Sequence, residues 1–179
     1  MAEDPEDDRN LHYLGREYLY YGRWDDCIRT LTRHLALPSA VWRDERAASM
    51  RYIARAHAQK GERDEARAWY LRAAAEAPHL REPWVDLAML LYEDQEWDGV
   101  LYATACALKI RERPRTYICE AEAWGGLPHD LRCQAYYHTG RLPQALEEAR
   151  LALAAAPSDH RLAGNAELLE KMAGLAGEL

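Results

Sequence analysis

Apolar and polar residues follow a helical period along most of this chain, and short polar turns interrupt the pattern. Glycine opens three of these turns, at 22–25, 61–64 and 140–143. The turn at 95–98 has the same character but begins with Gln95. A glycine between two helical patterns is typical of the end of the first helix. The pattern therefore predicts pairs of helices, with the chain reversing at each turn.

Residue types recur at fixed offsets from the four turns, which lie about 34 to 45 residues apart. Seven residues before each turn stands a small residue, which suits two helices that cross closely: Gly15, Ala54, Ala88 and Cys133. Five residues after each turn stand Cys27, Ala66, Val100 and Ala145. A proline that cannot continue the second helix closes each unit, at Pro38, Pro78, Pro114 and Pro157. The chain thus contains four copies of one repeat.

This repeat resembles the tetratricopeptide repeat (TPR), whose period is about 34 residues. The best match spans 47–80 and carries Ile53, Ala54, Gly61, Ala66, Tyr70, Ala73 and Pro78 at the expected places. The resemblance implies an all-α fold, a right-handed helical-repeat solenoid of about four TPR-like helix pairs plus a C-terminal capping helix. We expect about nine helices and no sheet.

We expect a single domain over 1–179. Its repeats are predicted at about 8–46, 47–80, 81–114 and 126–158, with an insertion at 114–127 and the capping helix at 159–175. The insertion should form a loop or a short extra turn. The capping helix should bury one face, formed by Leu162, Ala166, Leu169 and Met172.

An acidic segment, residues 3–7, precedes the first predicted helix. Pro5 within it occupies the proline position of a further repeat that is not present. Two interpretations stay open. The acidic residues complement the dipole of the first helix, or the chain is cut from a longer one.

Composition narrows the functional classes. The 179 residues are 49% hydrophobic, which suffices for a sizeable core, and no apolar run is long enough to span a membrane. The net charge of -7 disfavours nucleic acid and anionic membranes as general partners, although a local basic patch remains open. The acidic N-terminus does not resemble a signal peptide, so we expect a cytoplasmic protein.

Motifs for catalysis, metals or cofactors are not found in the sequence. No phosphate-binding glycine loop occurs, and the seven histidines form no pair at i, i+4 spacing. The four cysteines are expected to be reduced packing residues, with Cys27 and Cys133 at repeat positions. We therefore expect no catalytic site, no metal and no cofactor.

Residues at six and ten positions before each turn are one helical turn apart and are predicted to line a concave groove. Together with tyrosines and a glutamine near the turns, the predicted groove residues are His12, Arg16, Tyr20, Arg51, Arg55, Gln59, Tyr92, Gln134 and Tyr137. Arginines at this density suit a protein or peptide with an acidic or carboxylate-bearing segment. The alternative is that Arg16, Arg51 and Arg55 pair internally, with Glu17, Glu82 or Asp86.

A narrower resemblance rests on four sequence runs, at 9–18, 109–117, 124–131 and 161–165. These runs are similar to the repeat region that follows some bacterial family 2 glycosyltransferases. The resemblance implies a non-catalytic, protein-binding accessory region of such an enzyme. The catalytic half is absent, because no pair of aspartates separated by one residue is available for a sugar-nucleotide metal. A stand-alone TPR adaptor or scaffold is the alternative.

Overall fold

The structure is a computed structural model that describes residues 7–176. This part of the chain is entirely helical and contains no β-strand. In chain order the helices are α1 (Asp8–Tyr20), α2 (Trp24–Ala36), α3 (Arg43–Gln59), α4 (Arg63–Glu76), α5 (Glu82–Glu93), α6 (Trp97–Lys109), α7 (Ala121–Trp124), α8 (Leu127–His138), α9 (Leu142–Ala155) and α10 (His160–Ala176). The short α7 explains why residues 7–176 hold ten helices rather than nine. The interpretation of Pro5 concerns residues outside the described range.

The chain divides into two compact units, Met1–Asp86 and Leu87–Leu179, and the division falls within α5. In the first unit α1 packs on α2 and α3, and α3 packs on α2 and α4. In the second unit α8 packs on α6, α7 and α9, and α9 packs on α10. The single domain predicted for 1–179 stays a prediction.

The tight turns have the backbone conformation that the sequence predicts. Gly22, Gly61 and Gly140 have φ values of 70°, 79° and 73°, in the left-handed region where side chains are strained. Gln95 has a φ of 59° and is the one non-glycine residue with positive φ among the described residues. The prediction that the turn at Gln95 is equivalent to the glycine turns is confirmed.

Small residues before the turns lie where two helices make close contact. A Cβ atom at Gly15 would lie only 2.3 Å from Leu31 Cδ2 of α2. Ala54, Ala88 and Cys133 are buried at the same position of the other repeats. The predicted seam of small residues is therefore confirmed, and its size limit comes from the neighbouring helix.

The repeat prolines do not all stand at the same distance from the preceding helix. Pro38, Pro78 and Pro157 lie two residues beyond the ends of α2, α4 and α9. Pro114 lies further along, because α6 already ends at Lys109. Residues 110–120 then form a loop without regular structure, and α7 adds one helical turn before α8.

Candidate functional site

The first helix of each pair carries the residues predicted to face a ligand, and the structure separates them into two sets. Side chains ten positions before the turn are buried in all four repeats: His12, Arg51, Val85 and Asp130. Side chains six positions before the turn are half-buried or exposed: Arg16, Arg55, Met89 and Gln134. Only the second set can contact a ligand without movement of a helix.

His12 is enclosed between α1 and α3. Its Nδ1 lies 2.8 Å from Ser49 Oγ, and the same hydroxyl lies 3.0 Å from His34 Nδ1. His34 Nε2 lies 3.7 Å from the Glu45 carboxylate. Burial, aided by the charges of His34 and Arg16, lowers the pKa of His12 to about 3, so the ring is neutral at pH 7. The prediction that His12 faces a ligand is corrected, because the ring is 1% exposed and joins a buried polar network.

Arg51 and Arg55 share one carboxylate, that of Asp86. Arg51 Nε donates a hydrogen bond to Asp86 Oδ2 at 2.9 Å. Arg55 donates from Nε at 3.2 Å and from Nη2 at 3.0 Å, so it holds both oxygens. Burial raises the pKa of Asp86, but the two guanidinium groups together outweigh burial and lower the pKa below its ordinary value. The sequence left internal pairing open, and for these two arginines it is what the structure contains.

Arg51 is consequently corrected from a groove residue to a buried packing residue, since its side chain is 1% exposed. Arg55 keeps a 30% exposed side chain and lies with its Cζ 5.8 Å from the ring centre of Tyr52. Arg55 therefore still borders the surface, although its charge is already compensated.

Arg16 and Arg55 have equally exposed side chains, at 30%, but Arg16 is not paired with a buried carboxylate. The Arg16 Cζ lies 5.0 Å from the Tyr13 ring centre and 5.9 Å from that of Tyr20. The ion pair with Glu17 is long, at 3.3 Å, and both side chains are partly exposed. Tyr20 is 66% exposed, and Gln59 is exposed at the end of α3. A half-buried cation flanked by aromatic rings can contact an anion and an apolar side chain together.

Tyr92 and Tyr137 belong to one aromatic cluster in the second unit. The Tyr92 ring meets Trp97 edge-on, with centroids 5.7 Å apart. Trp97 stacks on His138 with centroids 4.3 Å apart and planes 6° apart. Tyr137 meets His138 edge-on at 5.4 Å. Helical periodicity gives no reason to bring Trp97 and His138 together, so the stacking of α6 against α8 was missed.

A small pocket opens between α8 and α10 in the same unit. Its volume is about 120 Å³, and its lining consists of Cys133, Gln134, Tyr137, Asn165, Leu168 and Leu169. Gln134 and Tyr137 were predicted from the sequence. Asn165 and Leu168 were missed, because the capping helix lies outside the repeat pattern. The sequence signal that could have identified this wall is Leu168, an apolar residue outside the face formed by Leu162, Ala166 and Leu169, and the structure leaves it 55% exposed.

The thiol in this pocket is chemically inert. Burial, and then the charges of Asp130 and Glu148, raise the pKa of Cys133 to about 11. Burial alone raises the pKa of Cys27 to about 12. Both thiols are therefore protonated at pH 7, and a protonated thiol is neither a good nucleophile nor a metal ligand. Residues 7–176 contain no group of three His, Cys, Asp or Glu side chains that could hold a metal ion.

Helix pairs that reverse through left-handed turns and pack along a seam of small residues define the class of TPR-like helical-repeat proteins. Solved structures of this class are similar to the chain. A crystal structure of MamA aligns with a TM-score of 0.71 and 15% identity, over 96% of this chain and 85% of that chain. MamA from Desulfovibrio magneticus RS-1 aligns with a TM-score of 0.70 and 13% identity, over 94% and 86%.

A structure of PilF from Pseudomonas aeruginosa aligns with a TM-score of 0.65 and 11% identity, over 96% of this chain and 69% of that chain. At these identities the similarity establishes the fold alone. No protein-family model and no curated protein matches the sequence. None of the described helices has the length and apolar character needed to cross a membrane.

Proposed function

We propose that this chain is a non-catalytic repeat domain that binds a segment of a partner protein, with one partner side chain seated in the α8–α10 pocket. The pocket is the observation that carries the proposal. Its volume of about 120 Å³ is well below the roughly 300–1,000 Å³ of sites for small molecules and cofactors. A single side chain is the ligand of suitable size.

The chemistry of the pocket suits an extended peptide. Leu168 and the ring of Tyr137 offer apolar contact at the rim, where both are exposed. The amides of Gln134 and Asn165 provide donors and acceptors for the backbone of the ligand. Aromatic and amide groups around a small apolar recess are the combination by which interfaces anchor one side chain.

A selection experiment tests this function. Peptides would be selected on the whole protein from a random library, and each would then be titrated against Tyr137→Ala and Leu168→Ala. Tyr102→Ala is the matched control, because Tyr102 is 64% exposed in the same unit and does not line the pocket. We expect the pocket variants to weaken binding about tenfold or more, as for a hot-spot residue. Equal affinity in all three variants would contradict the proposal.

In the first unit, we propose that Arg16 and Tyr20 form a second contact, for an acidic or carboxylate-bearing part of a partner. Support comes from the exposure of Tyr20 and from the long pair between Arg16 and Glu17. Arg55, Gln59 and Tyr92 remain surface residues compatible with ligand contact. Replacing Arg16 by glutamine should weaken binding of an acidic ligand and reduce its dependence on salt.

The narrower proposal is an accessory region of a family 2 glycosyltransferase. It is supported by the sequence runs at 9–18, 109–117, 124–131 and 161–165 alone. A stand-alone adaptor is the competing proposal. Sequencing of the genomic reading frame distinguishes them, since a catalytic domain continuous with this chain would support the first and its absence the second.

A further inference from the structure

The loop at 110–120 carries an unusual arrangement of charge in an acidic protein. Lys109, Arg111, Arg113 and Arg115 stand at alternate positions, with Glu112 as the one acid among them. All four cationic side chains are exposed. Within the described range, 7–176, none of the four takes part in an ion pair or a side-chain hydrogen bond, whereas Arg46, Arg132 and Arg161 each hold a carboxylate.

Alternate spacing places the three loop arginines on one face. Side chains two residues apart point the same way along an extended chain. From 113 to 117 the burial pattern has this period, because Arg113, Arg115 and Tyr117 are exposed while Pro114 and Thr116 are half-buried; Arg111 and Glu112 are both exposed. Pro114 also restricts Arg113 to an extended conformation. An extended backbone over 111–115 would place the arginines in a row with members about 6.6 Å apart, the advance of two extended residues.

Both ends of the row are anchored to the body of the unit. At one end the backbone N–H of Ile110 donates to the Ala107 carbonyl at 3.1 Å. At the other, the backbone N–H of Ile118 donates to Thr116 Oγ1 at 3.2 Å, and the Ile118 side chain is 5% exposed. A row held in this way loses less conformational entropy on binding than a free tail would.

We propose that Arg111, Arg113 and Arg115 bind an extended acidic segment of a protein partner, with carboxylates at alternate residues paired to successive arginines. Tyr117, which is 52% exposed in the turn that follows the row, adds apolar contact. Carboxylates repeated every second residue along an extended strand share the spacing of the row. Arginine forks suit such carboxylates, because two parallel hydrogen bonds form to each.

The boundaries of the patch favour a short acidic peptide over a nucleic acid. Glu120 and Glu122 follow the row directly, and Glu122 is exposed. A long polyanion that extends beyond the row would meet these carboxylates and the net charge of -7. A segment with about three acidic residues would meet only the arginines.

The test is a fluorescence-anisotropy titration of the whole protein with a labelled octapeptide of alternating glutamate and threonine, at low salt. The triple variant R111Q/R113Q/R115Q should bind this probe at least roughly tenfold more weakly, since hydrogen bonds to charged groups are lost. The matched control R9Q/R72Q/K171Q removes the same charge from exposed positions elsewhere and should change the affinity less than about twofold. Circular dichroism should find both variants folded, because the replaced side chains are exposed.

Three further outcomes decide the proposal. Equal loss in the control variant would mean unspecific charge attraction and would overturn it. An octapeptide with its glutamates in one block that binds as tightly would overturn the extended register. An oligothymidylate of equal charge that binds more tightly than the peptide would assign the row to nucleic acid instead. The surface is independent of the α8–α10 pocket, so Tyr137→Ala should leave binding of the octapeptide unchanged.

Discussion

Arg51 Nε donates a hydrogen bond of 2.9 Å to the Asp86 carboxylate, and both side chains are almost fully buried, at 1% and 7% exposure. This contact joins the first helices of two successive repeats, α3 and α5. Arg55 completes it by holding both carboxylate oxygens. One buried anion thus neutralises two cations that would otherwise repel each other.

Asp86→Asn should destabilise the protein by about 3–5 kcal/mol, because it removes the charge of the buried carboxylate that Arg51 and Arg55 share. Glu170→Gln is the matched control. It breaks the exposed pair of Arg150 and Glu170, whose side chains are 61% and 50% exposed, and should cost less than about 1 kcal/mol. Urea unfolding followed by circular dichroism measures both changes. Equal losses would mean that the buried pair contributes no more than a surface pair.

Gln95→Gly should stabilise the protein by about 0.5–1 kcal/mol. Gln95 has a φ of 59°, where an L residue is strained and glycine is not, although glycine loses more entropy on folding. Gly61→Ala makes the reverse change at a φ of 79° and should destabilise the protein. No atom lies within 4 Å of the added Cβ, so the loss would come from the backbone conformation and not from a clash with a neighbouring residue. Midpoints of thermal unfolding that move in the same direction for the two variants would refute this account.

Two glycines inside helices should respond to alanine with opposite signs. Gly15→Ala should destabilise by about 1–3 kcal/mol, because the new methyl group overlaps the buried Leu31. Gly164→Ala in α10 meets no atom within 4 Å and should stabilise by roughly 0.5–1 kcal/mol through helix propensity. Chemical denaturation measures both, and Leu31→Val should recover part of the loss caused by Gly15→Ala. If Gly164→Ala destabilised the protein, the space around the added methyl group would not determine the sign of the change.

Features confined to one repeat could be predicted from the sequence. The left-handed turn at Gln95 and the small residue at Gly15 are local requirements of a helix pair. Alignment of the four repeats on their turns was therefore sufficient to predict both features. The extra turn α7 also follows from counting residues beyond two helices of ordinary length.

Contacts between successive repeats could not be predicted in this way. Residues ten and six positions before a turn share a helix face in periodicity, yet only the first set is buried in all four repeats. His12 reaches Ser49 on α3, Arg51 reaches Asp86 on α5, and Asp130 reaches Arg161 on α10. Helical periodicity contains no information about which residue of the adjacent helix a side chain contacts. The α10 wall of the pocket was missed for the same reason.

The stability of the protein should fall as the pH decreases from about 7.5 to 5, through the buried network of His12, Ser49 and His34. Burial, aided by His34 and Arg16, lowers the pKa of His12 from 6.5 to about 3, and burial also lowers the pKa of His34. Below pH 6.5 these two histidines therefore bind protons in the unfolded state but not in the folded state. Stability from this source is complete above pH 6.5 and is lost progressively toward pH 3. At pH 5, His12 alone should account for a loss of about 2 kcal/mol.

His12→Asn keeps a polar atom near Ser49 but does not titrate in this range, so its unfolding free energy should depend less on pH than that of the parent protein. His160→Asn is the control, because His160 is exposed at the start of α10 and lies outside the buried network. Urea titrations at pH 7.5, 6 and 5 measure the slopes. The interval ends at pH 5, above the ordinary carboxylate pKa of about 4, so Asp86 and Glu148, whose pKa values are lowered in the folded state, contribute little to the slope. A slope as steep in His12→Asn as in the parent would mean that His34 or another group carries the whole acid sensitivity.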